Sequence, residues 1–497
     1  MSLIQVSNLT FGYEGSFDNV FENASFAIDT DWKCGFIGRN GRGKTTFLNL
    51  LLGKYPYSGH ITSSVQFEYF PFEVQDPYDT PLDIAESIMP DFELWRLNRE
   101  LNLLEVDSDD VLYRPFCTLS FGERTKVLLA ILFIKENSFL LIDEPTNHLD
   151  IAARDTLAKY LKSKRGFILV SHDRAFLDEV IDHTLSINRA NITVQKGNFT
   201  SWQREKDRED QFELQQNEKL KKDVKRLEAA AKRAASWSDK AERSKIGFNP
   251  SQTEKSIGRR AYEGEKSRKM MKRSKSIETR RNDALEEKSA LLKNIESADT
   301  KLQIATLRHP KELLVEVRDL CVDYGEGPIF EPARFEIRRG ERVALQGKNG
   351  CGKSSILKLL CGEDIPHSGT LQTASGLTVS YIPQSAEGLS GYLDAFALDN
   401  GIDESLFKAI LRKLEFQRSQ FEKPIEDFSE GQKKKVLIAK SLCEKAHLLV
   451  WDEPLNFIDV ISRMQLETLL KDCEPTIIFV EHDRRFVENV ATKIIRL

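Results

Sequence analysis

Long apolar runs are missing from this 497-residue sequence, and so are the features of an export leader. The longest apolar run, Val127 to Ile134, is bounded by Lys126 and Lys135. It falls well short of the ~18–20 residues that cross a bilayer. The first thirty residues have neither a basic start nor an apolar core. Cysteine is also scarce: the seven cysteines show no C-x-x-C spacing, which argues against a disulfide framework or a zinc site. These absences predict a cytoplasmic protein in a reducing compartment.

A strong net charge is missing as well, but the charge is unevenly distributed. The whole chain carries a net charge of −5. Residues 203–308 hold 28 lysines and arginines against 19 acidic residues, so this segment is net +9 and the remainder is net −14. The length allows two to four domains, each with its own core. The basic segment therefore separates two acidic parts of the chain.

A phosphate-binding loop is the clearest motif that is present. Residues Gly38 to Thr45 fit the pattern G-x-x-x-x-G-K-[ST]. An apolar strand pattern, Cys34 to Ile37, precedes the loop, and a helical pattern, Phe47 to Leu52, follows it. Glycine-rich backbone N–H groups and a helix N-terminus attract phosphate oxygens. We expect Lys44 to bind the β- and γ-phosphates and the Thr45 hydroxyl to hold Mg²⁺.

The same loop occurs a second time, from Gly347 to Ser354, with Lys353 placed 309 positions after Lys44. A repeat of this length indicates two related domains and not a solenoid.

Further motifs follow the loop in the first half. A buried strand pattern ends in Asp143 and Glu144, where an aspartate can orient Mg²⁺ and a glutamate can take a proton from water. A second strand pattern ends near His172, which either contacts the γ-phosphate or caps the strand. Ser120 and Gly122 open a helical pattern, where they bind an anion or serve only as an N-cap.

An aromatic residue closes the entering strand pattern of each half. Tyr13 follows the first of these strands, and Tyr324 holds the matching place in the second half. Each tyrosine either packs against its neighbours or stacks on an adenine ring.

The Ser-x-Gly element, the carboxylate pair and the histidine recur in the second half at an offset of 309 or 310, as Ser429 and Gly431, the pair Asp452 and Glu453, and His482. The ordered set resembles the ATP-binding cassette ATPases over both halves, nearly end to end. The resemblance implies an α/β fold with two tandem P-loop cassette domains, at residues 1–202 and 309–497, joined by the segment 203–308.

The resemblance also implies a role for each matching residue. Glu144, Glu453, His172 and His482 would be catalytic. Mg²⁺ would be held by Thr45, Asp143, Ser354, Gln384 and Asp452. ATP would be bound by Tyr13, Gly38, Asn40, Gly41, Gly43, Lys44, Thr45, Thr46, Ser120, Gly122, Glu123, Tyr324, Gly347, Asn349, Gly350, Gly352, Lys353, Ser354, Ser355, Gln384, Ser429, Gly431 and Gln432. The signature loops would be Ser120 to Glu123 and Ser429 to Gln432. Two cassettes of this superfamily meet head to tail, and each ATP lies between the P-loop of one cassette and the signature loop of the other. A single chain would therefore form its own cassette dimer without a stable homo-oligomer.

The sequence departs from the family pattern at three positions. Phe121 and Glu430 replace the usual third-position glycine of the two signature loops, and Phe72 stands where the second cassette has Gln384. The site that contains Lys44 combines Glu430 with the missing glutamine. We therefore predict unequal sites, with hydrolysis more in doubt at the Lys44 site.

The segment between the cassettes shows a helical pattern on each side of a break from about 244 to 264. Apolar residues keep a helical seam at Leu220, Val224, Leu227 and Ala231, and again from Ile277 to Leu302. The pattern predicts an antiparallel α-helical hairpin with an irregular tip. Between 232 and 281 there are 16 basic and 6 acidic residues, interleaved with Trp237, Phe248 and Tyr262. Such a surface suits irregular or single-stranded RNA, although a solvated linker also carries such charge runs.

Two cassettes, no membrane domain and a basic hairpin together resemble the ABC-F proteins, and most of all the Lsa/Vga-type antibiotic-resistance members. The stretches that carry this likeness are Ile37 to Thr46, Leu169 to Phe176, Met271 to Lys275 and Trp451 to Asn456. The resemblance implies ATP hydrolysis and binding to the E site of the bacterial 70S ribosome. The hairpin would act on the P-site tRNA and on the 23S rRNA of the peptidyl-transferase centre, displacing lincosamides, pleuromutilins and streptogramin A.

Two other functions fit the cassettes equally well. A housekeeping ABC-F translation factor would share every cassette motif. An ATPase subunit of a drug exporter would too, but it leaves the basic hairpin unexplained and requires a membrane partner.

Overall fold

A computed structural model of the chain describes residues 2–13, 19–147, 149–188, 191–246, 307–325, 327–416 and 418–497, and a few helical positions between 265 and 280. The contacts within the chain divide it into two compact units: residues 1–202 together with 302–497, and residues 203–301. The first unit contains both sets of nucleotide-binding motifs.

The first cassette consists of a small antiparallel sheet, a larger mainly parallel sheet and surrounding helices. Its strands are β1 (Leu3–Phe11), β2 (Phe21–Asp29), β3 (Lys33–Ile37), β4 (Ser58–Thr62), β5 (Gln66–Phe70), β6 (Ser138–Asp143), β7 (Phe167–Val170), β8 (His183–Asn188) and β9 (Asn191–Lys196). Its helices are α1 (Lys44–Leu51), α2 (Pro81–Ile88), α3 (Leu94–Leu103), α4 (Ser108–Val111), α5 (Phe121–Ile134), α6 (Ile151–Ser163) and α7 (Arg174–Val180).

The entering strand β1 lies between β2 and β4 and pairs antiparallel with both. Its buried residues Ile4, Val6 and Leu9 depart from strict alternation after Val6. The pairing register shifts there, and Asn8 adopts a φ of 50°. A β-bulge, which adds one residue to the strand, accounts for the three-residue step between Val6 and Leu9.

The larger sheet has the strand order β5-β6-β7-β3-β8-β9 and is parallel except for the β8–β9 pair. Strands β3, β6 and β7 are buried along nearly their whole length. Parallel strands covered on both faces read as continuous apolar runs, as these do. The carboxyl ends of β3, β6 and β7 lie side by side, so the phosphate loop, the Asp143–Glu144 pair and His172 share one edge.

A helical subdomain of α2, α3 and α4 is inserted between β5 and α5. Helix α2 begins with a capping box, in which Thr80 and Asp83 each bond the other's backbone N–H, with Pro81 at the first helical position. Leu97 and Leu101 on α3 are fully buried in a core that they share with α5.

The second cassette repeats this design. Its strands are β10 (Leu313–Val322), β11 (Ala333–Arg338), β12 (Arg342–Gln346), β13 (His367–Thr373), β14 (Val379–Ile382), β15 (Leu448–Asp452), β16 (Ile477–Val480) and β17 (Lys493–Arg496). Its helices are α9 (Lys353–Leu360), α10 (Leu393–Asp399), α11 (Glu404–Lys413), α12 (Glu430–Cys443), α13 (Val460–Cys473) and α14 (Arg484–Val490). The small sheet, β11-β10-β13, has the same order as that of the first cassette. The larger sheet, β14-β15-β16-β12-β17, matches five strands of its counterpart, and the described residues of the second cassette contain no strand equivalent to β9.

Between α7 and the second cassette runs the long helix α8, from Phe199 to Ile246. It contains the predicted first helix of the hairpin. The predicted tip from 247, most of the predicted return helix, and the side chains of the seam residues Leu220, Val224, Leu227 and Ala231 lie outside the described residues. Among the helices that are described, none is long and apolar enough to span a membrane.

Candidate nucleotide-binding sites

The two phosphate loops lie where a strand ends and a helix begins, between β3 and α1 and between β12 and α9. Lys44 Nζ donates to the carbonyl oxygens of Gly38 (2.6 Å) and Arg39 (3.2 Å). Lys353 Nζ donates to those of Gly347 (3.0 Å) and Lys348 (2.8 Å). Both lysines are buried, and each one lies in the curve of its own loop.

The last glycine of the first loop is required by its backbone and by its surroundings. Gly43 has a φ of 97°, which favours glycine, and it is the N-cap of α1. A Cβ atom there would lie 2.5 Å from Val20 and 3.1 Å from Phe21. The glycine thus allows the loop to turn its N–H groups inward at the helix N-terminus, which is the arrangement that binds phosphate. The remaining predicted loop residues lie in the same two turns: Asn40, Gly41, Asn349, Gly350 and Gly352.

In the first cassette, Asp143 at the end of β6 receives two hydroxyl groups. Thr45 Oγ1 donates to Asp143 Oδ2 over 3.3 Å, and Tyr69 Oη donates to the same oxygen over 2.9 Å. Burial raises the pKa of Asp143, while the Tyr69 hydrogen bond and Lys44 oppose that rise. The predicted pair of Mg²⁺ ligands, Thr45 and Asp143, is therefore brought together. The contact of Tyr69 with Asp143 was not predicted from the sequence. Tyr69 lies three residues before Phe72, the residue that stands where the second cassette has Gln384.

Glu144 follows Asp143 in a strained backbone conformation, with a φ of 49°. The equivalent Glu453 has a φ of 46°. Non-glycine residues in this region cost free energy and concentrate at functional sites. His172 Nε2 lies 3.2 Å from Glu144 Oε1, and His482 Nε2 lies 3.6 Å from Glu453 Oε1. The structure thus brings each predicted glutamate to its predicted histidine.

The second cassette adds two amide contacts to its glutamate. Gln384 Nε2 donates to Glu453 Oε2 over 3.0 Å, and Asn456 Nδ2 donates to the same oxygen over 2.7 Å. In the first cassette Phe72 replaces the glutamine and packs against the apolar core.

These different surroundings shift the pKa values of the two glutamates in opposite directions. Burial, reinforced by Asp143, raises the pKa of Glu144 to about 8. Burial alone would also raise the pKa of Glu453, but the neighbouring His482 and the hydrogen bond from Gln384 bring it down to about 2. At neutral pH this arrangement keeps Glu453 ionised and favours the protonated form of Glu144.

The Mg²⁺ ligands predicted for the second cassette also fit a cation. Burial raises the pKa of Asp452, and a hydrogen bond from Ser354 opposes that rise. The other carboxylate oxygen, Asp452 Oδ1, is buried and has no hydrogen-bond partner among the described residues. A buried, unsatisfied carboxylate oxygen beside a hydroxyl group is suited to a hard cation such as Mg²⁺.

The tyrosines at the ends of the entering strands reach the phosphate-loop helices. Tyr13 Oη lies 2.7 Å from Thr46 Oγ1, and Tyr324 Oη lies 2.9 Å from Ser355 Oγ. Both rings are exposed. An open cleft of about 1200 Å³, lined in part by Tyr324 and His367, lies beside the second of them. Each ring is therefore accessible for stacking, and the Tyr13 ring also packs edge-on against Phe11 and Tyr55, with 5.1 and 5.9 Å between ring centroids.

The signature loops are helix N-termini closed by capping boxes. The Ser120 side chain accepts from the Glu123 N–H while Glu123 accepts from the Ser120 N–H, and Ser429 and Gln432 form the same box. Gly122 and Gly431 lie in the first turns of α5 and α12. A Cβ atom at Gly431 would meet the Phe457 carbonyl oxygen at 2.3 Å and Asn40 Nδ2 at 3.3 Å.

This approach places the second signature loop beside the first phosphate loop. Asn40 Nδ2 donates to the Phe457 carbonyl over 2.7 Å, and Arg39 Nε lies 2.8 Å from Glu415 Oε2. The head-to-tail arrangement expected from the motifs is therefore present at the Lys44 site.

A buried ion pair also joins the cassettes away from the phosphate loops. Arg174, two residues after His172, pairs with Glu467 on α13, and both side chains are almost fully buried. Sequence patterns gave no indication of this pair, because each partner lies on an otherwise ordinary helix.

Comparison with known proteins gives matches over the whole chain. The family model described as ABC transporter matches residues 21–147 and 330–456. The ribosome protection protein VmlR of Bacillus subtilis is 30% identical over 98% of this chain and 85% of its own length. The ATP-binding protein Uup of Caulobacter vibrioides is 30% identical over 96% of this chain and 74% of its own length. The ABC transporter F family member 2 of Arabidopsis thaliana is 25% identical over 99% of this chain and 76% of its own length.

Solved structures share the fold. The archaeal ribosome recycling factor aABCE1, in complex with the ribosomal stalk protein aP1, gives a TM-score of 0.63 at 18% identity and covers 98% of this chain and 87% of its own. The structure titled RNase-L Inhibitor gives the same TM-score and identity, over 99% of this chain and 87% of its own.

Proposed function

We propose, since this chain belongs to the ABC-F family of ATP-binding cassette ATPases, that it is a ribosome-binding protein and that ATP controls its binding to the ribosome. As a member of that family the chain binds ATP and hydrolyses it to ADP and phosphate. The observation that carries the proposal is the 30% identity to a ribosome protection protein over 98% of this chain. That likeness spans the segment between the cassettes as well as the cassettes themselves.

In this proposal each cassette supplies one half of each ATP site. Lys44 and Lys353 bind the β- and γ-phosphates, while the exposed rings of Tyr13 and Tyr324 stack on adenine. Glu144 and Glu453 are the candidate general bases toward the attacking water.

The hydroxyl–aspartate pairs and Gln384 would hold the metal ion, and His172 and His482 would contact the γ-phosphate. When bound, Mg²⁺ neutralises charge that develops on the phosphates. Ser120, Gly122 and Glu123, with Ser429, Gly431 and Gln432, present helix N-termini to the nucleotide held by the opposite cassette.

The charge contrast between the cassettes supports unequal turnover at the two sites. An ionised Glu453 can accept a proton, whereas a protonated Glu144 cannot until its surroundings change. Asn40, which bonds to Phe457, and Arg39, which pairs with Glu415, hold the Lys44 site closed. Slow hydrolysis at a closed site would prolong the ATP-bound state.

Conformational changes in the second cassette can reach the first turn of the long helix through side-chain contacts. Asp178 accepts hydrogen bonds from the backbone N–H and the hydroxyl of Thr200, in the first turn of α8. Arg485, three residues after His482, pairs with Asp178 and donates to Thr200 Oγ1 over 3.0 Å. Opening and closing of the cassettes would thereby be transmitted to the segment 203–308.

The finer proposal concerns what that segment does. Its net charge of +9 suits ribosomal RNA and tRNA. We place the protein in the E site of the 70S ribosome, with residues 203–308 directed at the P-site tRNA and the 23S rRNA of the peptidyl-transferase centre. Lincosamides, pleuromutilins and streptogramin A would be displaced from there, which would confer resistance.

Co-sedimentation tests the proposal. The Glu144→Gln, Glu453→Gln double variant should pellet with 70S ribosomes in ATP far more than the wild type, and this binding should weaken steeply with salt. If the variant pelleted no more than the wild type, the proposal that ATP controls binding to the ribosome would be contradicted. The Lys44→Ala, Lys353→Ala double variant is the matched control, and it should fail to pellet.

A housekeeping translation factor is the second candidate, since Uup is as similar to this chain as VmlR is. Growth in lincomycin with and without the protein separates the two: protection supports resistance, and an unchanged inhibitory concentration supports the housekeeping role. An exporter ATPase would instead fractionate with membranes and not with ribosomes.

A further inference from the structure

The second cassette buries a lysine and a glutamate at positions where the first has hydroxyl residues. Lys434 on α12 and Glu481 at the end of β16 are both buried. In the register of the repeat, they correspond to Thr125 and Ser171 of the first cassette. Burying charged groups is costly unless they are paired and hydrogen-bonded, so the exchange calls for an explanation.

Lys434 joins two segments that hold Glu453. Its Nζ donates to the Pro383 carbonyl over 2.9 Å and to the Glu453 carbonyl over 3.3 Å. Pro383 immediately precedes Gln384, whose amide donates to the Glu453 carboxylate. The lysine therefore holds the backbone on both sides of that amide–carboxylate contact.

Glu481 holds the chain on the other side of Glu453. Its Oε1 accepts from the Leu455 N–H over 2.7 Å, and its Oε2 accepts from the His482 N–H over 3.2 Å. One carboxylate thus ties the loop that follows Glu453 to the backbone of the predicted γ-phosphate histidine.

The first cassette uses its matching side chains differently. Thr125 Oγ1 donates to the Phe121 carbonyl within its own helix, over 3.0 Å. Ser171 Oγ lies 3.1 Å from Thr146 Oγ1 and accepts from the Asp173 N–H over 3.2 Å, so neutral hydroxyls connect the matching segments there. The link from α12 to the Pro383 and Glu453 carbonyls, and the use of charged groups, are thus features of the second cassette.

We propose that Lys434 and Glu481 are positioning residues for ATP hydrolysis at the second cassette, which fix Glu453 between Gln384 and His482. The inference rests on the role of Glu453 as general base proposed above. Glu144 has a φ of 49°, close to the 46° of Glu453, although both matching positions of the first cassette hold hydroxyl residues. The two charged residues therefore do not cause that backbone conformation; they fix the position of Glu453 against its amide and histidine neighbours. The two residues act through Glu453 and do not contribute to the binding of ATP itself.

The test isolates the second site with a Glu144→Gln background and measures kcat and KM for ATP. Lys434→Met and Glu481→Ser should each lower kcat by about tenfold, because each removes two hydrogen bonds that fix the backbone around the base. KM should change less than twofold. Glu481→Gln should lower kcat less than Glu481→Ser does, because its amide oxygen still accepts from the Leu455 N–H, although its amide nitrogen cannot accept from the His482 N–H. The control Lys440→Met removes a charge from the same helix, at a lysine 3.5 Å from Glu444, and should leave both constants unchanged.

The same substitutions in a Glu453→Gln background report on the first site, where they should change kcat less than twofold. Equal losses in both backgrounds would show general damage to the fold and overturn the proposal. So would an unchanged kcat, a loss confined to KM, or a Glu481→Gln variant as slow as Glu481→Ser. If Lys434→Met does not fold, the comparison of kcat between Glu481→Ser and Glu481→Gln still tests the proposal. If Glu453→Gln alone leaves turnover intact, the assignment of the base has failed, and that result is distinct from every other.

Discussion

Replacing Glu481 by glutamine measures the electrostatic cost of a buried carboxyl group in the second cassette. Burial raises the pKa of Glu481 to about 7 from its ordinary value of 4.5. Arg463 and the Leu455 N–H oppose the rise, while Glu453 and Asp483 add to it. Lys434 also faces this carboxylate, whose charge partly offsets the effect of burial on the lysine.

The direction of the pH effect follows from this raised pKa. Between about pH 4.5 and pH 7 the folded protein keeps a proton that the unfolded chain releases, so the stability that this group contributes falls as the pH rises. When the carboxyl is ionised in both states, the cost to the folded state is about 3 kcal/mol. Roughly 2.5 kcal/mol of that cost accrues between pH 5 and pH 8. Glutamine is neutral, like the protonated carboxyl group, so the variant does not incur this free-energy cost.

Calorimetric melting of the wild type and Glu481→Gln near pH 5 and near pH 8 supplies the test. The melting temperature of the variant should gain on the wild type by about 5–10 °C more at the higher pH, for a cassette of this size. Glu488→Gln, at an exposed position on α14, is the control and should show no such pH dependence. An equal difference at both pH values would refute the buried, titrating carboxyl.

Two further predictions concern the ATP sites and the contact between the cassettes. Glu453→Gln should reduce steady-state ATPase activity several-fold more than Glu144→Gln, because only Glu453 is ionised at neutral pH; equal losses would contradict unequal sites. Glu467→Ala should lower the free energy of unfolding by about 3–5 kcal/mol, because it removes the closest partner of the buried Arg174. Urea titration measures this, and a loss under 1 kcal/mol would show that Asp483, 3.9 Å from Arg174, suffices as its partner.

The motifs that are built on backbone geometry could be predicted from the sequence. Gly43 and Lys44 belong to a motif that allows few backbone shapes, so they predict the loop. Asp143 lies beside that loop because the carboxyl ends of parallel strands meet at one edge of the sheet. The tandem cassettes and the ATPase activity were confirmed in this way. The roles of the individual site residues and the domain boundaries stay predictions.

Side-chain contacts between distant segments could not be predicted. Lys434 lies on a helix with other lysines, and nothing in its local pattern separates it from the solvent-facing ones. Glu481 follows four apolar residues, where a carboxylate usually marks the end of burial. The pair Arg174–Glu467 depends on how two cassettes meet, which no local periodicity encodes. The charge asymmetry of the sites therefore needed the structure.

The most direct test of the account is the structure of the ribosome complex formed in ATP by the Glu144→Gln, Glu453→Gln variant. The account predicts both cassettes closed in the E site, with residues 203–308 contacting the P-site tRNA and the 23S rRNA beside the peptidyl-transferase centre. No ATP-dependent complex, or a complex in which that basic segment contacts neither RNA, would contradict it.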